Sequence, residues 1–251
     1  MKFNILKPAL AALVLVGTAC TANYLDINTN PYEPSEDDMQ TDGYIIGSAL
    51  TSLASTVVST DVNTAQFTDV LLGGPMGGYY STTGGFTRTI MNYNPTDDWT
   101  NVFMYSDRTI PVLYSNLREL KKVTDDPIVL AIADIIKVAA MHRVTDIYGP
   151  LPYTAFGKMS SGLPYDSQET VYRTFIKELD HALKTLKAAY EADSGAKPIA
   201  DFDVVFDSDL EKWIRFANSL KLRLAMRICY VKPDLAKQYA MEAVRDGVME
   251  T

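Results

Sequence analysis

Residues 128–141 read IVLAIADIIKVAAM, and this stretch decides the fold class. Only Asp134 and Lys137 in it are not apolar. A helix that is apolar on nearly all sides must be covered by other elements, because it has no face suited to water. Residues 126–127 (Asp-Pro) are typical of a helix start, and residues 148–150 (Tyr-Gly-Pro) of a helix end. The stretch therefore predicts a buried central helix in an all-α protein.

Amphipathic helical patterns lie on both sides of this central helix. Residues 97–120 keep apolar positions at helical spacing, and a third helix is predicted to open at Ser167. Ser208 and Glu211 are predicted to form a capping box at the start of a fourth helix, and a fifth begins near Asp234. Successive helices with short connectors pack as antiparallel pairs, which predicts an α-solenoid, although no strict 34-residue repeat is visible.

The fourth helix has a clear division between apolar and basic positions. Its apolar stripe is predicted to be buried and consists of Leu210, Trp213, Ile214, Ala217, Leu220, Leu224 and Ile228. Its basic residues are predicted to lie on the other flanks and are Lys212, Arg215, Lys221, Arg223 and Arg227. Such a helix buries one stripe and exposes the rest.

Residues 61–98 have a different composition, with six glycines interleaved with aromatic residues. We predict a long ordered loop here, and such loops usually carry function. Aromatic rings can cover the apolar faces of a sugar while polar groups bond its hydroxyl rim. The candidate ligand-binding residues are Tyr79, Tyr80, Phe86, Arg88, Asn92, Tyr93 and Trp99. The alternative is that they pack the loop onto the helices; for Trp99, which opens an apolar register, packing is favoured, and for the tyrosines both interpretations stand.

The N-terminus has the pattern of an export signal. Residues 1–19 combine a basic head with an apolar run at 9–16 that is too short to span a bilayer. Cys20 follows small residues and is the predicted lipidation site; the alternative is ordinary cleavage that leaves a free thiol. The remaining chain divides into a tether, residues 20–35, and a helical body, residues 36–251.

Composition and motifs argue against several classes of protein. The net charge of −8 argues against a nucleic-acid binder, which needs a concentrated basic face. No hydrolase, metalloprotease or phosphate-loop motif is present, and His142 and His181 are interpreted as structural. The acidic pairs at residues 37–38, 97–98 and 125–126 precede helical segments, where carboxylates cap amides. We therefore expect no enzyme, no metal and no cofactor.

Three stretches resemble the SusD/RagB-like family of Bacteroidetes outer-membrane lipoproteins. They are NYLDINTNP at residues 23–31, HRVTDIYGPLPY at residues 142–153 and WIRFANSLKLRLAMR at residues 213–227. They occur in the family's order across almost the whole mature chain. Gly17 departs from the family's lipobox, which holds Leu at that position, and this bears only on the lipid anchor.

The resemblance implies tetratricopeptide-like helix pairs with long irregular loops on one face. It also implies a lipid-anchored protein at the cell surface whose partner is a TonB-dependent outer-membrane transporter of the SusC-like class. The expected ligand is an oligosaccharide that is captured and handed over. The alternatives are a peptide ligand, a purely structural helical-repeat adaptor and a surface glycoside hydrolase, which would need a convergent carboxylate pair. Because family members are roughly twice this long, we expect the chain to be an N-terminal portion.

Overall fold

The computed structural model of the protein describes residues 24, 30, 32, 43–59, 61–79, 81, 97–105, 108–158 and 162–250, apart from the side chains of residues 72, 98 and 100. The chain divides into two units, Met1–Tyr44 and Ile45–Thr251. Residues 1–23, with the expected signal peptide and Cys20, lie outside the described residues. The second unit lies within the predicted helical body, residues 36–251.

The described residues form helices joined by turns and short connectors. In chain order these are α1 (Tyr44–Ala54), α2 (Val62–Ala65), a π-helix (Gln66–Gly73), α3 (Gly74–Met76), α4 (Asp97–Asn101), α5 (Thr109–Val123), α6 (Pro127–Tyr148), a 3₁₀ turn (Tyr153–Ala155), α7 (Gln168–Ala192), α8 (Leu210–Arg227) and α9 (Pro233–Arg245). Within the described ranges there is no strand, and Leu151 and Asp166 form an isolated bridge. The all-α prediction is confirmed.

The central helix α6 is the one predicted from its apolar stretch. The Asp126 carboxylate caps its start by accepting from the Ile128 amide at 2.7 Å. Gly149 ends it with a φ of 77°, a left-handed conformation that glycine adopts without strain. Its side chains at positions 135, 138 and 141 are fully buried. The helix packs against α5, α7 and α8 and so forms the middle of the core.

The two polar residues of that stretch are paired inside the structure. Lys137 Nζ lies 2.9 Å from Asp134 Oδ1 on its own helix and 2.9 Å from Glu178 Oε1 on α7. The Glu178 carboxylate also accepts from Tyr153 Oη at 2.6 Å. Burial disfavours the charged lysine, but the carboxylates of Glu178 and Asp134 outweigh it and raise the pKa of Lys137. Pairing therefore makes these charges compatible with the core.

Helices α6 to α9, here called the bundle, follow one another along the chain, and each runs antiparallel to the one before it. Gln168 at the start of α7 donates to the Thr145 carbonyl at the end of α6 at 2.7 Å. Tyr190 near the end of α7 donates to Glu211 at the start of α8 at 3.4 Å. Each helix of the bundle packs against the next. This is the predicted arrangement of tetratricopeptide-like helix pairs.

Helix α8 confirms the predicted buried stripe from Leu210 to Leu224. The structure corrects the last stripe position, because Ile228 lies just beyond the helix and is only half-buried, and it corrects one flank position. Trp213 is 2% exposed, and its indole donates to Asp203 Oδ2 at 2.6 Å. Lys221, predicted to lie on an exposed flank, is buried instead. Its ammonium lies 2.8 Å from Asp180 on α7 and 2.7 Å from Glu242 on α9. Partners on both neighbouring helices allow this lysine to join the interface, which the periodicity of one helix does not reveal.

The predicted capping box at the start of α8 is wrong. Asp209 caps the helix by accepting from the Lys212 amide at 3.1 Å. Ser208 has a φ of 58°, and its hydroxyl accepts from the Ile199 amide at 2.9 Å. Glu211 pairs with Arg215 at 2.8 Å. The serine therefore fixes the preceding connector, and the aspartate that follows it satisfies the helix amides.

Two further expectations are corrected along residues 61–120. Residues 62–76, predicted to belong to a long loop, are helical through α2, the π-helix and α3. The helix predicted from residue 97 is interrupted, because α4 ends at Asn101 and α5 begins at Thr109. None of the described helices is long and apolar enough to cross a membrane.

Candidate functional site

Residues 61–79, here called the tyrosine segment, include Tyr79, one of the two predicted ligand-binding residues that the structure describes. Asp61 caps α2 by accepting from the Thr64 amide, and Arg108 lies against the same carboxylate. The Arg108 guanidinium and the Thr64 amide lower the pKa of Asp61 to about 2. The helix then widens into the π-helix, a rare conformation that is frequent at functional sites.

The segment ends in a Schellman motif, a helix end closed by two backbone hydrogen bonds. The Gly78 amide donates to the Pro75 carbonyl at 3.0 Å, and the Tyr79 amide donates to the Gly74 carbonyl at 3.0 Å. Gly78 has a φ of 73°, the left-handed conformation that this motif requires. The motif fixes the backbone of Tyr79, whose side chain is 85% exposed. An exposed ring on a fixed backbone is suited to stacking on a ligand.

Trp99 is a core residue, so its inclusion among the ligand-binding residues is corrected. The side chain is 3% exposed. Its indole donates to the Phe67 carbonyl at 2.7 Å, and the two rings meet edge to face at a centroid distance of 6.2 Å. Trp99 therefore holds the π-helix in place, as the packing interpretation of this residue predicts.

The other predicted site residues lie outside the described residues. These are Tyr80, Phe86, Arg88, Asn92 and Tyr93, together with the lipidation site Cys20. Their roles in binding and anchoring stay predictions. Of the predicted ligand-binding residues, Tyr79 is described and exposed, and Trp99 is described and buried.

The last two turns of α6 attach the tyrosine segment to the bundle. Arg143 donates to the Val57 carbonyl at 3.1 Å and to Asp69 Oδ1 at 2.7 Å. Tyr148 Oη donates to the Trp99 carbonyl at 3.0 Å and accepts from the Phe103 amide at 3.4 Å. Burial raises the pKa of Tyr148.

These anchoring roles were not predicted from the sequence. The available signal was the change at the end of the apolar helix, where His142, Arg143, Asp146 and Tyr148 follow within seven residues. Polar residues at the end of a buried helix need hydrogen-bond partners from other segments, so their presence indicates contacts that fix those segments.

The same end of α6 also borders a groove that the sequence did not indicate. The groove has a volume of about 330 Å³ and is bordered by α6, α7, α8 and α9. Asp146 accepts from Tyr172 Oη, and its other oxygen lies 3.1 Å from Arg227 Nε. Burial and the Asp146 carboxylate raise the pKa of Tyr172. The apolar lining includes Ile176, Leu224, Ile228 and Leu235.

The ion-paired residues at the rim of the groove are three cations and two anions, which leaves one positive charge in excess. Glu169 lies 2.8 Å from Arg173 and 3.4 Å from Lys232, so one carboxylate serves two cations. Asp146 and Arg227 balance each other. An aliphatic floor with a small positive excess can accommodate an apolar side chain next to a carboxylate.

The structure supports the structural interpretation for His142, whereas the same interpretation of His181 stays a prediction. His142 is buried, and its Nε2 accepts from Arg223 Nε at 3.0 Å while its Nδ1 lies 3.2 Å from the Val138 carbonyl. Desolvation and the Arg223 charge lower the pKa of His142, so the ring is neutral with its proton on Nδ1. His181 is exposed. Among the described residues, no three His, Cys, Asp or Glu side chains are grouped to hold a metal ion.

The chain is similar to a protein family and to several solved structures. The family described as Susd and RagB outer membrane lipoprotein matches residues 26–251. A SusD homolog from Bacteroides uniformis is 52% identical, with a TM-score of 0.73, over 84% of this chain and 44% of that one. A chitin-binding SusD homolog from Flavobacterium johnsoniae is 33% identical, with a TM-score of 0.70, over 81% and 43%. No curated protein matches the chain.

The family match covers the whole predicted helical body, residues 36–251, and includes the two stretches on which α6 and α8 are built. A SusD homolog from Bacteroides thetaiotaomicron is also similar, at 33% identity and a TM-score of 0.71 over 82% of this chain and 42% of that one. The chain thus spans less than half the length of these solved relatives. By sequence and by fold, the chain belongs to the SusD/RagB family of outer-membrane lipoproteins.

Proposed function

We propose that the protein captures oligosaccharides at the cell surface and passes them to a TonB-dependent outer-membrane transporter. The observation that carries this proposal is Tyr79, a largely exposed ring at the end of a segment that the core holds in place. Membership of an outer-membrane lipoprotein family supports the location. The proposed role is binding and transfer, in which the protein breaks no covalent bond of the cargo.

The anchoring of the tyrosine segment supports a binding role for its end. Trp99, Arg143 and Asp61 fix the segment through hydrogen bonds and an ion pair, while Tyr79 itself contributes little to the core. Preorganised aromatic surface costs less entropy when a ligand binds. The similarity to a chitin-binding SusD homolog makes β-linked N-acetylglucosamine oligomers the first ligands to test.

Calorimetric titration of the full-length gene product tests the proposal. The sugar panel contains chito-, cello- and malto-oligosaccharides. Tyr79→Ala is expected to weaken binding of the preferred sugar by about 1–2 kcal/mol, since it removes a stacking surface without unpairing a charge. Tyr230→Ala is the matched control, because Tyr230 is also highly exposed but lies in the connection between α8 and α9. Equal binding by both variants would overturn Tyr79 as the platform.

The proposed anchor is a lipid on Cys20. Mass spectrometry of the mature N-terminus is expected to give an acylated cysteine, and an unmodified Cys20 would contradict the anchor.

Hand-over to the transporter is tested separately. Detergent extracts of the native membrane are expected to yield the protein together with a TonB-dependent barrel, and purification free of any barrel would contradict that partnership.

A second candidate function, peptide capture, is favoured by the groove. Its aliphatic floor and the two cations shared by Glu169 suit a branched apolar side chain next to a carboxylate better than a hydroxyl-rich sugar. Leu235→Arg is expected to abolish binding of such peptides, while Met241→Arg, on the exposed side of the same helix, is expected to preserve it. Thermal unfolding checks that both variants are folded. Sugar binding without peptide binding would remove this candidate.

A further inference from the structure

We propose that Gly77 is a positioning residue that sets the orientation of the Tyr79 ring for stacking on a pyranose. The inference rests on the proposed function, capture of oligosaccharides, and adds a specific requirement to it. A Cβ atom placed on Gly77 would lie 2.8 Å from Tyr79 Cε2 and 2.9 Å from Tyr79 Cδ2. These distances are shorter than any ordinary carbon–carbon contact. One edge of the ring therefore occupies the space where a side chain at position 77 would stand.

The backbone brings these two residues together. In the Schellman motif Gly77 is the C-cap residue, Gly78 is the left-handed residue and Tyr79 follows it. The motif turns the chain back over the helix end, so the residue after the left-handed glycine faces the last helical turn. Gly78 is explained by its φ of 73°. Gly77 has a φ of −76°, which any residue can adopt, so its backbone conformation does not require glycine.

The remaining reason for glycine at position 77 is the space that it leaves. The Tyr79 ring rests there and stays 85% exposed, so it has a support and an open surface at once. An alanine methyl group would force the ring to another rotamer, in which the ring would lose the support that it has at Gly77. A sugar would then have to order the ring on binding, at an entropic cost.

One other contact of the added methyl group must be separated from this effect. The same Cβ would lie 2.9 Å from the Gly73 carbonyl oxygen, so Gly77→Ala also presses on the π-helix. A disturbance of the backbone would act whether or not a ring is present at position 79. A displaced ring, in contrast, matters only while the ring is there. A double-mutant cycle between positions 77 and 79 therefore distinguishes the two causes.

The experiment measures calorimetric binding of the tightest-binding sugar in the chito-, cello- and malto-oligosaccharide panel to the full-length gene product. Gly77→Ala is expected to weaken binding about three- to tenfold, the cost of ordering one side chain. In the Tyr79→Ala background the same substitution is expected to change binding less than twofold. Tyr79→Phe keeps the ring and is expected to remain sensitive to Gly77→Ala. Gly195→Ala is the control, because its Cβ would meet Asp193 Oδ1 at an ordinary 3.5 Å.

The outcomes separate this inference from the proposed function. If Tyr79→Ala weakens binding but Gly77→Ala does not, the positioning role is overturned and sugar capture stands. If Gly77→Ala weakens binding equally with and without the Tyr79 ring, the effect comes from the backbone and the positioning role is again overturned. If no sugar in the panel binds, the proposed function and the inference fall together.

Discussion

In the bundle of α6 to α9, apolar side chains at helical spacing meet across each helix pair, whereas the tyrosine segment is held by a few polar contacts at fixed points. The bundle buries Val138, Phe175 and Leu224 completely. The tyrosine segment depends on the Trp99 indole, on Arg143 and on the two hydrogen bonds of its Schellman motif. The bundle thus derives its stability from buried apolar surface area, and the tyrosine segment derives its shape from individual hydrogen bonds. Substitutions in the two regions should therefore differ in size and in kind.

The largest expected effect is the loss of a core side chain from the bundle. Trp213→Ala is expected to reduce the free energy of unfolding by about 3–5 kcal/mol, because it removes a buried ring and leaves a cavity. It also leaves Asp203 without the indole donor that lies 2.6 Å away. Urea unfolding followed by circular dichroism measures the change. A loss of unfolding free energy under about 1 kcal/mol would mean that buried apolar surface area does not dominate the stability of the bundle.

The next largest effect concerns the joint between the two regions, by which we mean the contacts of Tyr148 at the end of α6 with Trp99 and Phe103. Tyr148→Phe is expected to cost about 1–2 kcal/mol, because the Trp99 carbonyl and the Phe103 amide both lose a partner in a half-buried site. Hydrogen exchange is expected to increase around α4 more than in the bundle. The exposed Tyr165 provides the control variant Tyr165→Phe. Uniform exchange changes across the whole chain would contradict a separate joint.

A smaller effect is expected from pH at the same end of α6. Desolvation and Arg223 lower the pKa of His142 below its ordinary value of 6.5, while Asp146 acts in the opposite direction. The unfolded chain therefore binds a proton that the folded chain refuses, and stability should fall as the pH drops below 6.5. The stabilising contribution of the neutral ring is complete above that pH.

The variant His142→Gln isolates this contribution. It removes the titrating ring and should flatten the dependence of unfolding free energy on pH between about 5 and 7. The lowered pKa values of Asp61 and Asp246, both about 2, act at lower pH and do not interfere. An unchanged slope in the variant would show that another group causes the dependence.

The contrast between the regions also determines how much the sequence predicts. The Asp126 cap, the Gly149 stop and the Ser167 start follow from local rules, and the structure confirms them. The apolar stripe of α8 is predicted for the same reason, because burial follows helical spacing. Each of these features depends on residues that are close in sequence.

The missed features depend on residues that are far apart in sequence. Lys221 is buried because Asp180 and Glu242 reach it from two other helices. The helical conformation of residues 62–76 is supported by Trp99 and Arg143, which local glycine content does not indicate. For the site, composition identified Tyr79 as a candidate, but its support on Gly77 is visible only once the chain reversal at Gly78 is known.

The smallest expected effect is the change in the free energy of unfolding caused by Tyr79→Ala. This variant gives the clearest comparison between the tyrosine segment and the bundle. The ring is 85% exposed, so Tyr79→Ala removes almost no surface from the core. The Schellman hydrogen bonds of residues 78 and 79 use backbone atoms, so they survive the substitution. The free energy of unfolding is therefore expected to change by less than about 0.5 kcal/mol. Urea unfolding of Tyr79→Ala and Trp213→Ala under the same conditions compares the two regions directly. A loss at Tyr79 as large as that at Trp213 would mean that the ring belongs to the core, and a ring needed by the core could not serve as a free platform for a ligand.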